Sequence, residues 1–127
     1  MSLDDVLAEL RKTYLEALPA RAELIEKLHA NRQYAEVETE FHKLKGTGKT
    51  YGLPEVTAIG EVTERLCEIG STSADESIPA ALNALRNVTK ARAKGAPLDL
   101  SSDPDFLYLT ELARKIHDTT SGRNKRT

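Results

Sequence analysis

His42 is predicted to lie on the exposed face of an α-helix. Around it, apolar residues recur at i, i+4 and i+7, the spacing of one helix face, at Val37, Phe41 and Leu44. At about 100° per residue, the side chain of His42 points more than about 90° away from the middle of that face. If Phe41 and Leu44 belong to the core, His42 does not, so the pattern predicts an imidazole that is open to solvent.

Cationic and small residues surround that imidazole. Lys45 and Lys49 follow His42 by one and two helical turns, and Lys43 is adjacent to it in sequence. Gly46, one turn after His42, leaves space above the ring because it has no side chain. The whole chain carries a formal net charge of −2, so this positive charge is a local feature. An accessible imidazole beside ammonium groups suits an anionic partner or substrate.

The segment H-K-L-K-G-T, with a glycine following ten residues after the histidine, resembles the signature of histidine-containing phosphotransfer (HPt) domains. The family pattern is H-x-L-K-G-[ST], then four residues, then glycine, and it is matched here at His42, Leu44, Lys45, Gly46, Thr47 and Gly52. The chain departs from the family at Phe41, Lys49 and Leu53, where small residues are common. The resemblance covers roughly residues 7–94.

This resemblance implies a phosphocarrier in a two-component phosphorelay. His42 would accept a phosphoryl group on its Nε2 atom from the aspartate of a receiver domain and pass it to another receiver. Lys45 would stabilise the phosphoryl group, which carries close to two negative charges, and Lys49 is a second, weaker candidate for that role. The implied partners are response-regulator receiver domains, a hybrid sensor kinase, or both, and the receiver would supply the acidic residues and Mg²⁺.

The docking surface for such a partner is predicted to include Ala35, Glu38, Thr39, Gly46 and Lys49. Glu38, one turn before His42, could orient the imidazole or pair with a lysine, and the second interpretation is favoured. The alternative function is a helical adaptor that binds a kinase or receiver domain without carrying phosphate. A C-terminal helix over residues 104–118, which the family pattern lacks, could serve such an adaptor.

Nucleotide, metal and enzymatic sites have weaker support. Residues 46–50 read G-T-G-K-T and resemble the end of a P-loop, but the required first glycine is replaced by Lys43. The histidines His29, His42 and His117 are far apart, and no paired E-x-x-H motifs occur. We therefore expect no cofactor, no bound metal and no ATP-binding kinase domain, so the chain is predicted not to be an enzyme.

Length and composition favour one soluble domain. A chain of 127 residues and 14.0 kDa can bury one sizeable core. Its net charge of −2 and pI near 5.9 give no reason to expect nucleic-acid or membrane binding. No apolar run approaches the roughly 20 residues of a membrane span, and the acidic N-terminus does not resemble a signal peptide. Cys67 is the only cysteine, which fits a reducing compartment. We expect a cytoplasmic monomer.

The periodicity predicts an all-α fold, an antiparallel up-down four-helix bundle with additional terminal helical pieces. Apolar residues between positions 3 and 28, among them Leu3, Leu7 and Leu10, can share one broad face of a first helix. Pro19 interrupts this helix, and the family resemblance favours one kinked helix over two. The helix that carries His42 is predicted over about residues 33–51, and the third helix over residues 54–69.

The second half of the chain is also predicted to be helical. A polar turn at residues 71–73 is predicted to precede the fourth helix, with a start nearer Asp75 because Pro79 lies close behind. Residues 96–121 form a C-terminal extension that contains a docked helix, and residues 122–127 are expected to fray. Residues 1–127 together are predicted to form a single domain.

Overall fold

The computed structural model describes the backbone of residues 1–126 and the side chains of residues 1–118. Within them it contains five α-helices and one 3₁₀-helix: α1 (Leu3–Ala30), α2 (Tyr34–Gly48), the 3₁₀-helix (Lys49–Tyr51), α3 (Pro54–Ile69), α4 (Ser71–Ala93) and α5 (Pro104–Arg126). No β-strand occurs in this part of the chain. The predicted all-α fold is confirmed.

The first four helices form an antiparallel bundle around one core. Successive helices pack against each other, and α4 also packs against α1, so the four close into a ring. Tyr14 in the first half of α1 bonds to Thr47 at the end of α2, whereas His29 near the end of α1 bonds to Asp75 near the start of α4. All four helices supply core side chains, including Leu18, Ala22, Ile25, Val37, Phe41, Leu44, Val56, Ile59, Leu66, Ile78, Leu85 and Val88.

α1 is one continuous helix with a well-formed start. The Ser2 hydroxyl accepts a hydrogen bond from the Asp5 N–H at 3.1 Å, and the Asp5 carboxylate accepts one from the Ser2 N–H at 3.2 Å. This capping box satisfies two backbone donors that a helix N-terminus otherwise leaves unpaired. Pro19 lies inside the helix without ending it, in agreement with the single helix that was favoured.

The first turns of α1 extend past the bundle. Leu3, Leu7 and Leu10, which were predicted to share one face of this helix, are exposed. Their spacing is that of a buried face, but no other helix covers these three side chains. Periodicity shows that residues share a face and does not show that a partner element covers it.

A tight turn joins α2 to α3. The last predicted turn of the second helix is the 3₁₀-helix Lys49–Tyr51. Gly52 then has a φ of 79°, the left-handed conformation expected for a glycine that ends a helix. Pro54 begins α3, where its missing N–H costs no helical hydrogen bond.

The start of α4 differs from the prediction. α4 begins at Ser71, directly after Gly70, and the predicted polar turn over residues 71–73 does not exist. Gly70 reverses the chain by itself with a φ of 154°, a conformation that favours glycine. Pro79 is accommodated inside α4. The carbonyl it leaves without a helical donor belongs to Asp75, and both residues are exposed, so water can replace the lost bond.

α5 packs on the outside of α3 and α4. Asp103 caps it, because its Oδ2 accepts the Phe106 N–H at 2.9 Å while its Oδ1 accepts a hydrogen bond from Asn87 of α4 at 2.8 Å. Leu109 is fully buried against the bundle. The expected fraying of residues 122–127 concerns a segment whose side chains lie outside the described part of the chain.

Candidate functional site

The His42 side chain stands on the solvent side of α2. It is 70 % exposed, whereas Val37, Phe41 and Leu44 on the other side of the helix are fully buried. At this exposure, neither the bundle nor α5 covers the imidazole ring. A second protein can therefore reach it directly.

Glu64 of α3 holds the imidazole through the nitrogen nearer the backbone. His42 Nδ1 lies 2.5 Å from Glu64 Oε2. Because a carboxylate can only accept a hydrogen bond, Nδ1 carries the proton and donates it. In the neutral ring the lone pair is then on Nε2. The pairing selects the tautomer whose outer nitrogen is the nucleophile.

Lys45 shares the same carboxylate. Its Nζ lies 3.3 Å from Glu64 Oε1. The Glu64 side chain is only 10 % exposed, and a buried carboxylate is stable only when it is hydrogen-bonded or paired. His42 and Lys45, one turn apart on α2, meet that requirement together. The site therefore combines an imidazole, a carboxylate and an ammonium group.

A close approach of two helices brings Glu64 to His42. A Cβ built on Gly60 of α3 would lie 2.6 Å from the backbone nitrogen of Lys45 and 2.9 Å from the carbonyl oxygen of Phe41. Only glycine allows the two backbones to come this near. Because residues four apart lie on the same helix face, Glu64 follows Gly60 along that contact and lies opposite His42.

A second contact fixes the end of α2. A Cβ on Gly48 would lie 2.7 Å from the backbone nitrogen of Thr57. The Thr57 hydroxyl accepts the Lys49 N–H at 2.6 Å and donates to the Lys45 carbonyl at 3.1 Å. The backbone that carries Lys45 and Lys49 is therefore held against the start of α3.

Lys43 and Lys49, the other cations predicted near His42, differ in their surroundings. Lys43 pairs with Glu40 on its own helix at 3.0 Å. Lys49 is exposed and forms no ion pair with the residues whose side chains are described. Of these two lysines, Lys49 is the one whose charge is available to a visiting anion.

The predicted docking surface is a strip of small residues along α2. Ala35, Thr39 and Gly46 are exposed, and the Thr39 hydroxyl is directed back to the Ala35 carbonyl at 3.0 Å. Apart from its chain neighbours and the backbone of its own helix, no atom lies within 4 Å of a Cβ built on Gly46. The space one turn after His42 is therefore open.

Glu38 does not form the ion pair with a lysine that was the favoured interpretation of the sequence. It forms no ion pair with a lysine among the described side chains, and Glu64, not Glu38, orients the imidazole. Glu38 is half-buried, and its negative charge affects the pKa of the Cys67 thiol instead. Burial, the largest cause, and the negative charges of Glu38, Glu64 and Glu68 together raise the pKa of the Cys67 thiol to about 12. The thiol therefore stays protonated near neutral pH and is a poor nucleophile.

Glu64 is not identifiable from the sequence alone. The available signal was Gly60, a glycine in mid-helix, where it costs about 1 kcal/mol relative to alanine. It precedes Glu64 by one helical turn and so places a carboxylate on a closely packed face. Which neighbour that face meets depends on the rotation of α3 within the bundle, and the periodicity of α3 does not contain that information.

The other chemistries that the sequence suggests find no geometric counterpart among the described residues. Residues 46–50 lie at the end of α2 and in the 3₁₀-helix, whereas a P-loop follows a strand. Among the described residues, no group of three or more His, Cys, Asp or Glu side chains could hold a metal ion. None of the described helices combines the length and the apolar character needed to cross a membrane.

A family model described as "Hpt domain" matches residues 9–93, from within α1 to the end of α4, and includes every residue of the His42 site. The chain belongs to the Hpt domain family. Hpt domains are phosphocarrier modules of two-component systems, not kinase domains, and they interact with receiver domains and kinases. α5 lies outside the matched residues. Neither the curated proteins nor the solved structures contain a match to the chain.

Proposed function

We propose that this Hpt domain accepts a phosphoryl group on His42 Nε2 from the aspartate of a receiver domain and passes it to another receiver. The observation that carries the proposal is the 2.5 Å hydrogen bond from His42 Nδ1 to Glu64. A proton held at Nδ1 leaves the lone pair on Nε2, and the side chain is 70 % exposed. A docked receiver can therefore reach the nucleophilic atom without any rearrangement of the bundle.

The transfer is an in-line displacement at phosphorus. The Nε2 lone pair forms the N–P bond while the P–O bond to the receiver's aspartate breaks, and the aspartate leaves as a carboxylate. Because Nδ1 stays protonated, the phosphorylated ring gains positive charge. Its hydrogen bond to the Glu64 carboxylate strengthens as that charge develops. In the second transfer, the aspartate of another receiver attacks phosphorus, and the N–P bonding electrons return to Nε2.

Lys45 supplies positive charge for the phosphoryl oxygens. Its side chain is 42 % exposed, and its contact with Glu64 is long for an ion pair at 3.3 Å. Such partly exposed pairs contribute only about 0–1 kcal/mol, so little is lost when the ammonium group turns toward an incoming phosphoryl group. Lys49, in the 3₁₀-helix one turn after Lys45, is the second cation. It pairs with no described side chain, so it can contact the phosphoryl group or the receiver without breaking an ion pair.

The receiver docks on the face of α2 that surrounds His42. Ala35, Thr39 and Gly46 share that face, because they lie seven and three residues before and four residues after the histidine. Their small size allows the receiver's backbone to approach the ring closely. Glu38 and Lys49 lie at the border of this surface and contribute charge to partner choice.

The decisive experiment follows labelled phosphate. A receiver domain carrying a radiolabelled phosphoaspartate is mixed with the wild-type chain and with a His42→Gln variant. We expect the label to move to the wild type and not to the variant, on a phosphoramidate that is lost in acid and kept in base. His117→Gln, which alters an exposed histidine on α5, is the matched control and should accept label normally. If the wild type binds the receiver but never acquires label, the chain is an adaptor and not a phosphocarrier.

A further inference from the structure

A long groove runs between α1 and α4. It consists of two cavities of about 210 and 390 Å³, which share the lining residues Pro19 and Thr89 and so form one continuous depression. The floor is apolar and includes Leu15 and Leu18 of α1 and Leu85 of α4. Along α1 the groove extends over residues 8–22, about 21 Å at the rise of an α-helix. We call this depression the α1/α4 groove.

Cationic side chains border this groove. They are Arg11, Lys12, Arg86, Lys90 and Arg92, whereas Glu16 is the one acidic residue that lines it. Since the chain as a whole carries a net charge of −2, this excess of positive charge is a local feature of the groove. A ligand that binds there gains electrostatic attraction only if it is anionic.

Some of these cations lack a partner. Arg92 and Arg86 are paired with carboxylates, at 2.8 and 3.5 Å. Arg11, Lys12 and Lys90 form no ion pair with any described side chain, and the Nε of Arg11 is buried without a hydrogen-bond partner. Lys12 and Lys90 are exposed, so their charges are free to pair with an anionic ligand. The groove therefore offers both apolar surface and unsatisfied positive groups.

The groove lies away from the His42 site. In the ring of four helices, α1 and α4 form the pair opposite α2 and α3, and His42 and Glu64 lie at the contact of α2 with α3. A ligand seated between α1 and α4 therefore leaves the imidazole accessible. Two partners could be bound at once, one on each side of the bundle.

We propose that the α1/α4 groove docks an acidic amphipathic helix of a partner protein. A helix that lays its apolar face into a hydrophobic groove is a common mode of peptide recognition. At 5.4 Å per turn, the groove accommodates about four turns. The apolar face of such a helix covers the floor near Leu18 and Leu85, and its carboxylates meet Arg11, Lys12 and Lys90. The groove thereby holds a signalling partner while phosphoryl transfer proceeds at His42.

The test uses two synthetic peptides of about fifteen residues with leucine at i, i+3, i+4 and i+7. Glutamate fills the remaining positions of one peptide and lysine those of the other. Binding to the full chain is measured by fluorescence anisotropy, and the contact surface is mapped by amide shifts of the ¹⁵N-labelled protein. We expect the acidic peptide to bind at least about tenfold more tightly than the basic one and to shift α1 and α4 amides.

A double variant, Lys12→Glu with Lys90→Glu, should weaken binding of the acidic peptide about fivefold to tenfold. Both lysines are exposed, so the bundle should remain folded. The matched control, Lys27→Glu with Lys94→Glu, changes the net charge equally at exposed lysines outside the groove, and it should bind as the wild type does.

Four results of the binding measurements would overturn the proposal. The first is that the two peptides bind equally well, and the second is that both double variants weaken binding equally. The third is that amide shifts are confined to α2 and α3. The fourth is that the chain self-associates reversibly and the acidic peptide dissociates the oligomer. The last result would identify a second copy as the occupant, through the exposed residues Leu3, Val6, Leu7 and Leu10. Phosphoryl transfer from a receiver to His42 should proceed at an unchanged rate with the peptide bound. Slower transfer in the presence of the peptide would also contradict the inference.

Discussion

Glu64 Oε2 accepts a hydrogen bond from His42 Nδ1 at 2.5 Å, across the contact between α3 and α2. The acceptor side chain is 10 % exposed and the donor side chain is 70 % exposed. A nearly buried carboxylate therefore fixes an imidazole that solvent and partners can reach. The rigid part of the site lies in the bundle, and the reactive atom lies outside it.

Glu64→Gln should slow phosphoryl transfer about tenfold, because a hydrogen bond to a charged acceptor is stronger than one to a neutral amide by about 1–1.5 kcal/mol. The amide can also donate to Nδ1, so the fraction of rings protonated at Nδ1 should fall. Single-turnover transfer and ¹⁵N shifts of the His42 ring measure the two effects. Glu68→Gln, at an exposed carboxylate on the same helix, is the control. An unchanged ring tautomer in Glu64→Gln would remove Glu64 from its positioning role.

Lys45→Ala should slow transfer about fivefold without unfolding the protein. One charge about 4 Å from a phosphoryl oxygen contributes about 1 kcal/mol in a solvated site, and the lost ion pair with Glu64 is partly exposed. Transfer rates and urea unfolding separate the effect on chemistry from the effect on stability. Lys43→Ala, whose side chain pairs with Glu40, serves as the comparison and should transfer at the wild-type rate. Equal rates for the two variants would argue against an electrostatic role for Lys45.

Gly60→Ala should destabilise the protein by about 1–3 kcal/mol, the cost of overpacking a close contact. Its Cβ would lie 2.6 Å from the Lys45 nitrogen, and backbone atoms cannot turn aside as a flexible side chain can. α3 must then move away from α2, which should also shift the ¹⁵N resonances of the His42 ring. Gly46→Ala provides the control, since no atom lies near its Cβ and alanine favours the helix by up to about 1 kcal/mol. Wild-type stability of Gly60→Ala would mean that α3 does not approach α2 this closely at Gly60.

Features governed by one segment were predictable from the sequence. The spacing of Val37, Phe41 and Leu44 implied which side of α2 is buried, and His42 is exposed accordingly. The left-handed Gly52 and the helix start at Pro54 follow from local backbone chemistry.

Features that depend on how segments meet were not predictable. Glu64 reaches His42 only because Gly60 lets α3 approach α2, and that contact depends on the rotation of two helices. The exposure of Leu3 has the same origin, because the spacing of a buried face is present but the covering helix is absent. The early start of α4 reflects a chain reversal confined to Gly70, where the polar residues that follow suggested a longer turn.

The ion pair between Glu55 and Arg92 should make the stability of the bundle sensitive to acid. Arg92 donates two hydrogen bonds to the Glu55 carboxylate, at 2.9 and 2.8 Å, and the Leu98 N–H donates a third at 3.2 Å. Burial alone would raise the pKa of Glu55, but the hydrogen bonds from Arg92 and the backbone together outweigh burial, and the pKa lies below its ordinary value of 4.5. A carboxyl whose pKa falls on folding stabilises the protein above its ordinary pKa, and this stability is lost as the pH falls through the folded-state pKa.

Glu55→Gln should therefore lower the free energy of unfolding at pH 7 by about 3 kcal/mol, because Arg92, at 15 % exposed, loses its charged partner. As the pH falls through the folded-state pKa of Glu55, which lies below 4.5, the wild-type carboxyl becomes protonated and so resembles an amide. The difference between variant and wild type should then shrink. Urea unfolding at pH 7 and at several lower pH values measures this difference in the free energy of unfolding. Glu76→Gln, at an exposed residue of α4, should show no comparable difference at any pH. A deficit in Glu55→Gln that is the same at every pH would mean that the lost hydrogen bonds, and not the charge of Glu55, account for the effect.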